Sequence, residues 1–287
     1  MVLVLHYTAC FSFLISPGSL LTPWHLLVSC FSSNYCVLNL LISEYSVDDN
    51  DAISITINQF GFSSEQIVID FIDLSIPDQQ FVCIVGPSGC GKSSLLNCVA
   101  GLYPLTNTIK VDYQDKQTLG YIFQEPRLLP WLSVYDNIAL VSPDVEPDHL
   151  KQLLADVGLA EHSHHFPNTL SGGMQRRASI ARAFAVNPTI LLLDEPFVSL
   201  DAPTAKQCRD VLMKLAKRFR TTILFVTHDL SEALYLADNI VFLSNRPTKV
   251  IHQFQPTRTS SIEDENITQM KTGLLRKYPG LLSGILS

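Results

Sequence analysis

The segment Gly86–Ser94, GPSGCGKSS, constrains this chain more than any other stretch. It fits the pattern G-x-x-x-x-G-K-S, with Gly86, Gly91, Lys92 and Ser93 at the fixed positions. The apolar, β-rich run Phe81–Val85 leads into it. Leu95, Leu96, Val99 and Leu102 follow at helical spacing. A strand, a glycine turn and a helix in that order let backbone N–H groups converge on one anion. The helix start adds its positive dipole end. Gly86, Pro87, Ser88, Gly89, Cys90, Gly91, Lys92, Ser93 and Ser94 therefore read as one phosphate loop. Lys92 is placed to reach the β- and γ-phosphates of a nucleoside triphosphate, and the Ser93 hydroxyl to ligate Mg²⁺.

A chain of 287 residues can fold as one large domain or two modest ones. Its net charge of −7 supplies no basic footprint, which argues against nucleic acid as a partner. Cysteines 10, 30, 36, 83, 90, 98 and 208 form no C-x-x-C pair and no zinc spacing. Cys83, Cys90 and Cys98 flank the phosphate loop, where a disulfide would obstruct it, so reduced thiols in a cytosolic protein are expected.

Residues 1–46 carry no charged side chain before Glu44 and are broken by Pro17, Gly18 and Pro23. Their longest clean apolar run, Tyr35–Ile42, is too short to cross a bilayer. The stretch fits a translated segment upstream of a start at Val47, a membrane-proximal anchor, or an ordinary or targeting extension. From Ile53 the pattern is globular. Strands are expected at Ile53–Ile57, from Ile67, at Thr106–Tyr113, Gly120–Gln124, Ile190–Leu193, Ile223–Val226 and Asn239–Leu243. Helices are expected at Asp148–Val157, Met174–Val186, near Thr204–Phe219 and over 263–278, where Gly273 is unfavourable. Asn58–Ser64 reads as a turn carrying two aromatics. Such alternation predicts an α/β fold with a largely parallel sheet and helices on both faces.

Ile190–Glu195, ILLLDE, is an apolar strand ending in two carboxylates. Strand C-terminal ends line the ligand crevice of a parallel sheet, so Asp194 and Glu195 face the same phosphates. Asp194 suits a Mg²⁺ ligand, and Glu195 a general base on the attacking water. Ser171, Gly172 and Gly173, within Leu170–Arg177 (LSGGMQRR), open a helix and offer a second anion site. His162, His164 and His165 sit close together but lack further ligands at metal spacing, so they read as a solvated loop.

Together these three motifs, in order and at the expected spacing from about Ile53 to Pro247, resemble the ATP-binding cassette (ABC) family. The resemblance implies a P-loop NTPase fold: a mainly parallel core, an antiparallel β subdomain, and an inserted helical subdomain at about 125–185. It also implies a cassette over 47–255, with an extension before it and a tail or helix over 256–287. By the same resemblance, Gln124 senses the γ-phosphate and Mg²⁺. Phe60 or Phe62 stacks on adenine, Asp201 belongs to a loop crossing a dimer interface, and His228 is the switch histidine. A neutral imidazole suits a bridge between phosphate and Glu195.

In that family the phosphate loop of one chain and the Ser171–Gly173 helix end of another sandwich one ATP, implying a dimer or paired cassette that closes on ATP. Gln124–Trp131, in Gly120–Leu140 (GYIFQEPRLLPWLSVYDNIAL), is similar to ATPases of importers for nitrate, sulfonates and taurine. That implies an integral membrane permease partner, a periplasmic or lipid-anchored solute-binding protein met indirectly, and a place on the cytoplasmic face of the inner membrane. A soluble cassette ATPase without a transport role is the alternative, disfavoured because the chain has neither tandem cassettes nor a coiled-coil insertion. A non-hydrolysing regulatory cassette is disfavoured by the intact Lys92, Asp194, Glu195 and His228. Departures from the pattern are a short span from Lys92 to Gln124, which implies trimmed antiparallel strands, and Gln79–Gln80 where Gly-Glu is frequent.

Overall fold

The computed structural model describes residues 51–63, 66–103, 108–113, 117–143, 145–259 and 261–285. The readings of the first 46 residues fall outside that set. Among the described residues ten strands form one sheet: β1 (Asp51–Ile57), β2 (Phe60–Ser63), β3 (Gln66–Pro77), β4 (Phe81–Val85), β5 (Ile109–Tyr113), β6 (Leu119–Ile122), β7 (Ile190–Asp194), β8 (Thr222–Thr227), β9 (Asn239–Leu243) and β10 (Thr248–Phe254). Their order is β5-β1-β3-β10-β9-β4-β8-β7-β6, with β2 on β3.

β9, β4, β8, β7 and β6 run parallel. Strands of this kind are covered on both faces, which is why they read as unbroken apolar runs. In β4 the side chains of Phe81, Cys83 and Val85 enter one core cluster, and those of Val82 and Ile84 enter another. Leu191 and Leu193 of β7 divide from Ile190 and Leu192 in the same way. The first cluster is closed by helices α2 (Val134–Ala139), α3 (Pro147–Asp156), α4 (Gly172–Phe184), α5 (Ala202–Phe219), α6 (Leu230–Leu236) and α7 (Glu265–Lys277). The second is closed by α1 (Lys92–Val99) and by the arm in which β2, β3, β1 and β5 pair antiparallel.

Registers at the carboxyl edge place the loops. Val85 pairs with Thr227, and Asp194 with Val226, so β4, β8 and β7 end side by side. Their following segments begin with Gly86, His228 and Glu195 and leave the sheet at one edge. Val85 also pairs with Phe242, which adds the loop after β9 to that edge.

Several expectations need correction. Helix α1 stops at Val99, because Gly101 at φ +66° breaks the turn, and Leu102 is exposed instead of continuing the stripe. Within Asn58–Ser64, Phe60–Ser63 is a strand paired with β3 and not a turn. Strand β6 ends at Ile122, before Gln124. Strand β10 and helices α2 and α6 were not expected. Both helices are under two turns long, too short to establish a 3.6-residue period, although Ser133 and Asp229 cap them. Helix α7 accommodates Gly273 and buries Ile267 and Leu274 against the first core.

Candidate nucleotide site

The phosphate loop joins β4 to α1. Its backbone reaches φ +76° at Gly89 and +120° at Gly91, conformations that only glycine enters cheaply. A Cβ on Gly91 would stand 2.8 Å from Val68 Cγ1. Lys92 is buried, and its ammonium donates to the carbonyls of Gly86 at 3.0 Å and Pro87 at 3.1 Å. It lies 3.6 Å from Glu195 Oε1. Ser88, Gly89, Gly91, Lys92, Ser93, Ser94, Glu195 and Arg246 line a cleft of about 190 Å³. That is smaller than the ~300–1,000 Å³ of a complete small-ligand pocket.

Ser93 Oγ donates to Asp194 Oδ1 at 3.0 Å. Burial pushes the Asp194 carboxyl above its usual range, with the Ser93 hydrogen bond opposing. The Glu195 backbone sits at φ +43°, a left-handed conformation costly for a residue with a Cβ, and its N–H donates to the Val226 carbonyl at 3.0 Å. This pose turns the carboxylate toward the cleft. Its Oε2 accepts from His228 Nδ1 at 2.8 Å, and His228 is exposed. Lys92, Ser93, Asp194, Glu195 and His228 therefore converge. The set combines an ammonium for phosphate, hard oxygens for a divalent cation and a carboxylate paired with imidazole, which suits in-line attack of water on a phosphoryl group.

Other expected residues stand elsewhere. The Cys90 side chain is buried in the core beneath the loop, and burial pushes its thiol up. Cys83, Cys90, Cys98 and Cys208 are free thiols. Ser171 caps α4 by accepting from Met174 N–H at 3.3 Å, and it is exposed together with Gly172. Gly173 is buried against α5, where a Cβ would come within 2.3 Å of Thr204 Cγ2. Asp201 caps α5, and hydrogen bonds from Thr204 hold its carboxyl below the usual range. Ser171–Gly173 and Asp201 do not line the Lys92 cleft, nor do Gln124, Phe60 and Phe62. Phe60, Phe62 and Tyr103 form an aromatic cluster with ring centroids 5.1–5.9 Å apart, and Phe62 is the open member at 61% exposure. His162 and His165 face each other with Nδ1 atoms 3.2 Å apart, and His164 is exposed.

Sequence reasoning missed Arg246, Arg176 and Arg182. Arg246 follows β9 and lies in none of the motifs, so only the folded cleft could reveal it. Arg176 and Arg182 lie on α4 and bond carbonyls of residues 123–127, a pairing that requires tertiary contact.

A model of the family described as ABC transporter matches residues 69–198. The aliphatic sulfonates import ATP-binding protein of Pseudomonas syringae pv. tomato is 42% identical over 203 residues, 70% of this chain and 86% of the relative. The nitrate import ATP-binding protein of Synechococcus elongatus is 38% identical over 232 residues, 73% of this chain and 84% of the relative. Among solved structures, a dimeric ATP-binding cassette in a post-hydrolysis state bound to ADP and Pi aligns with a TM-score of 0.61 at 28% identity. It covers 72% of this chain and 100% of its own. With the phosphate loop, the carboxylate strand and the Ser171 helix end in their family order, the chain belongs to the ABC transporter family, as one of its ATP-binding, ATP-hydrolysing subunits.

Proposed function

We propose that this chain powers a membrane importer by binding and hydrolysing ATP, with a small oxyanion-bearing solute of the nitrate, sulfonate or taurine class as cargo. The observation that carries the reading is the convergence of Lys92, Ser93, Asp194, Glu195 and His228 at the carboxyl edge of the parallel sheet. The cargo class rests on the likeness to sulfonate and nitrate import subunits and on Gln124–Trp131.

Lys92 binds the β- and γ-phosphates, exchanging its bonds to the Gly86 and Pro87 carbonyls for phosphate oxygens. Ser93, Asp194 and Gln124 are the residues that would hold Mg²⁺, and hard oxygens, two of them already 3.0 Å apart, fit that ion. Bound there, Mg²⁺ would neutralise charge on the phosphates. Glu195 takes the proton of the attacking water, and His228 holds the carboxylate in place. The small cleft and the helix end Ser171–Gly173, with Ser171 and Gly172 exposed, fit a half-site completed by a second copy or a paired cassette, with Asp201 near the seam. Phe62, the open aromatic, takes the adenine, with Phe60 behind it.

Gln124–Trp131 docks on an integral membrane permease, with Trp131 70% exposed, and a periplasmic or lipid-anchored solute-binding protein acts through that permease. No helix among the described residues is long and apolar enough to cross a membrane, and peripheral attachment at the cytoplasmic face of the inner membrane follows from the permease contact. The cassette runs over 47–255, with its helical subdomain at about 125–185. Glu195→Gln tests the reading. ATP binding persists, hydrolysis slows by roughly 10²–10⁴-fold, and an ATP-closed dimer accumulates on size-exclusion chromatography. Turnover at the wild-type rate would remove Glu195 from its role. Growth on single sulfur or nitrogen sources after gene deletion tests the cargo class.

A further inference from the structure

The phosphate cleft carries a second cation that the G-x-x-x-x-G-K-S motif does not include. Arg246 lines it together with Lys92 and Ser93, from the loop between β9 and β10. Its side chain is exposed, and among the described residues it makes no hydrogen bond or ion pair. Its positive charge is felt at Cys90, in the middle of the phosphate loop.

The loop that presents Arg246 is fixed on three sides. Thr248, fully buried at the start of β10, donates its hydroxyl to the Cys90 carbonyl, tying the strand to the phosphate loop. Ser244 Oγ accepts from Lys249 N–H at 2.9 Å, and Ser244 N–H donates to the Lys249 carbonyl at 2.9 Å. The third support comes from nearly forty residues further on. Asn245 Nδ2 donates to the Ser283 carbonyl at 2.6 Å, and Asn245 N–H donates to the Gly284 carbonyl at 3.3 Å. The turn holding Ser283 and Gly284 is anchored by Leu281, which is fully buried in the core. Gly284 approaches so closely that a Cβ there would stand 2.5 Å from Asn245 N and 3.1 Å from Pro87 Cγ.

Charge gives this arrangement a purpose. Lys92 is already engaged by two carbonyls and by Glu195, which brings its carboxylate to the cleft, and a second carboxylate, Asp194, stands behind Ser93 at 3.0 Å. A triphosphate adds several more negative charges, and one ammonium does not balance them. A guanidinium offers a planar fork that matches phosphate oxygens. We propose that Arg246 is a phosphate-binding residue of the nucleotide site, and that the C-terminal turn at 280–284 is the clasp that holds its loop in position. The proposal rests on the cleft taking a nucleoside triphosphate, as argued above.

The test measures ATP and adenosine binding by competition on the full chain at low and high salt. Arg246→Ala lowers ATP affinity about tenfold at low salt, the size of one charge-assisted phosphate contact, and leaves adenosine unchanged. Arg246→Lys recovers part of the loss, and the salt dependence of ATP affinity becomes shallower in Arg246→Ala. Gly284→Val, or Asn245→Ala where the first does not fold, lowers ATP affinity in the same sense with Arg246 intact. Wild-type ATP affinity in Arg246→Ala, or an equal loss for ATP and adenosine, overturns the phosphate contact. Wild-type affinity in folded Gly284→Val or Asn245→Ala overturns the clasp. Lys92→Ala run in parallel separates the two levels: if it too binds ATP normally, the nucleotide reading of the cleft fails as a whole.

Discussion

Arg176 Nη1, on the helix that begins at Ser171, donates to the Phe123 carbonyl at 2.7 Å, and its Nη2 donates to the carbonyl of Gln124. Two turns further along α4, Arg182 donates to the carbonyls of Arg127 at 2.7 Å and Pro126 at 2.9 Å. One helix thus holds the backbone of the Phe123–Arg127 segment at four carbonyls. Burial lowers the Arg176 guanidinium to about 10, the cost of carrying that charge inside. Arg127 in turn stacks its guanidinium 4.0 Å over the Phe123 ring. The segment proposed to sense nucleotide is therefore mechanically joined to the helix end proposed to meet the partner's ATP.

Arg176→Met removes a buried guanidinium's bonds to the Phe123 and Gln124 carbonyls, so it is expected to destabilise the fold by about 2–3 kcal/mol. ATP hydrolysis falls further than folded fraction alone accounts for, because Gln124 loses its support. Chemical denaturation and turnover measured on the same preparation check this. Proportional losses in both would reduce Arg176 to a purely structural residue.

Asn137 is buried on α2 and does for the backbone around Trp131 what Arg176 does for Gln124. Its Nδ2 donates to the carbonyls of Leu129, Leu132 and Ser133, and its Oδ1 accepts from Leu129 N–H at 2.7 Å. Leu128 packs against the first core and Leu129 is half-buried, while Trp131 is left exposed. Asn137→Ala should cost about 1–3 kcal/mol and quench the defined environment of Trp131, read by fluorescence anisotropy. Nucleotide affinity should stay near wild type, since no nucleotide contact is involved.

A buried ion pair supports the His228 turn from behind. Arg209 Nη1 donates to Glu232 Oε1 at 3.0 Å, and Glu232 Oε2 accepts from Thr227 Oγ1 at 3.1 Å. Thr227 Oγ1 accepts from Asp229 N–H at 3.0 Å, which fixes the backbone on both sides of His228. Burial pushes Glu232 up despite Arg209. Arg209→Met alone leaves an uncompensated buried carboxyl and is expected to cost about 3–5 kcal/mol, whereas Arg209→Met with Glu232→Leu recovers most of it. A double-mutant cycle from denaturation curves measures the coupling, and additivity within error would contradict the pairing.

Asp156 ties α3 to α5 through Lys214 at 2.8 Å and Arg218 at 2.5 Å. Burial of the carboxyl opposes ionisation, yet the two cations outweigh it and hold its pKa below the usual range. A depressed folded-state pKa means the stabilisation is present above the ordinary Asp value of about 3.9 and is lost as pH falls through the folded value. Both cations are largely exposed, so the contribution is expected at about 1 kcal/mol or less. Stability curves from pH 6 to pH 3 should flatten in Asp156→Asn. An acid limb identical to wild type would show that the bridge adds nothing.

Much of this protein was legible in one dimension because it rests on local chemistry. A phosphate loop must carry glycines where φ is positive, a doubly covered strand must be apolar throughout, and a helix must keep a 3.6-residue period. Gly86–Ser94, Ile190–Glu195 and the longer helices thus declared themselves. The strand β10 did not, because its half-exposed residues give no clean alternation, and α2 and α6 are too short for a period. Which residues share a cleft was a different matter. Asp194 and His228 meet the phosphate loop through the registers of β4, β8 and β7, and Arg246 joins them through the pairing of β4 with β9. Arg176 finds its carbonyls across 53 residues of chain. Long-range hydrogen bonds and strand pairing carry no periodic trace in the sequence, so only the folded sheet could bring these partners together.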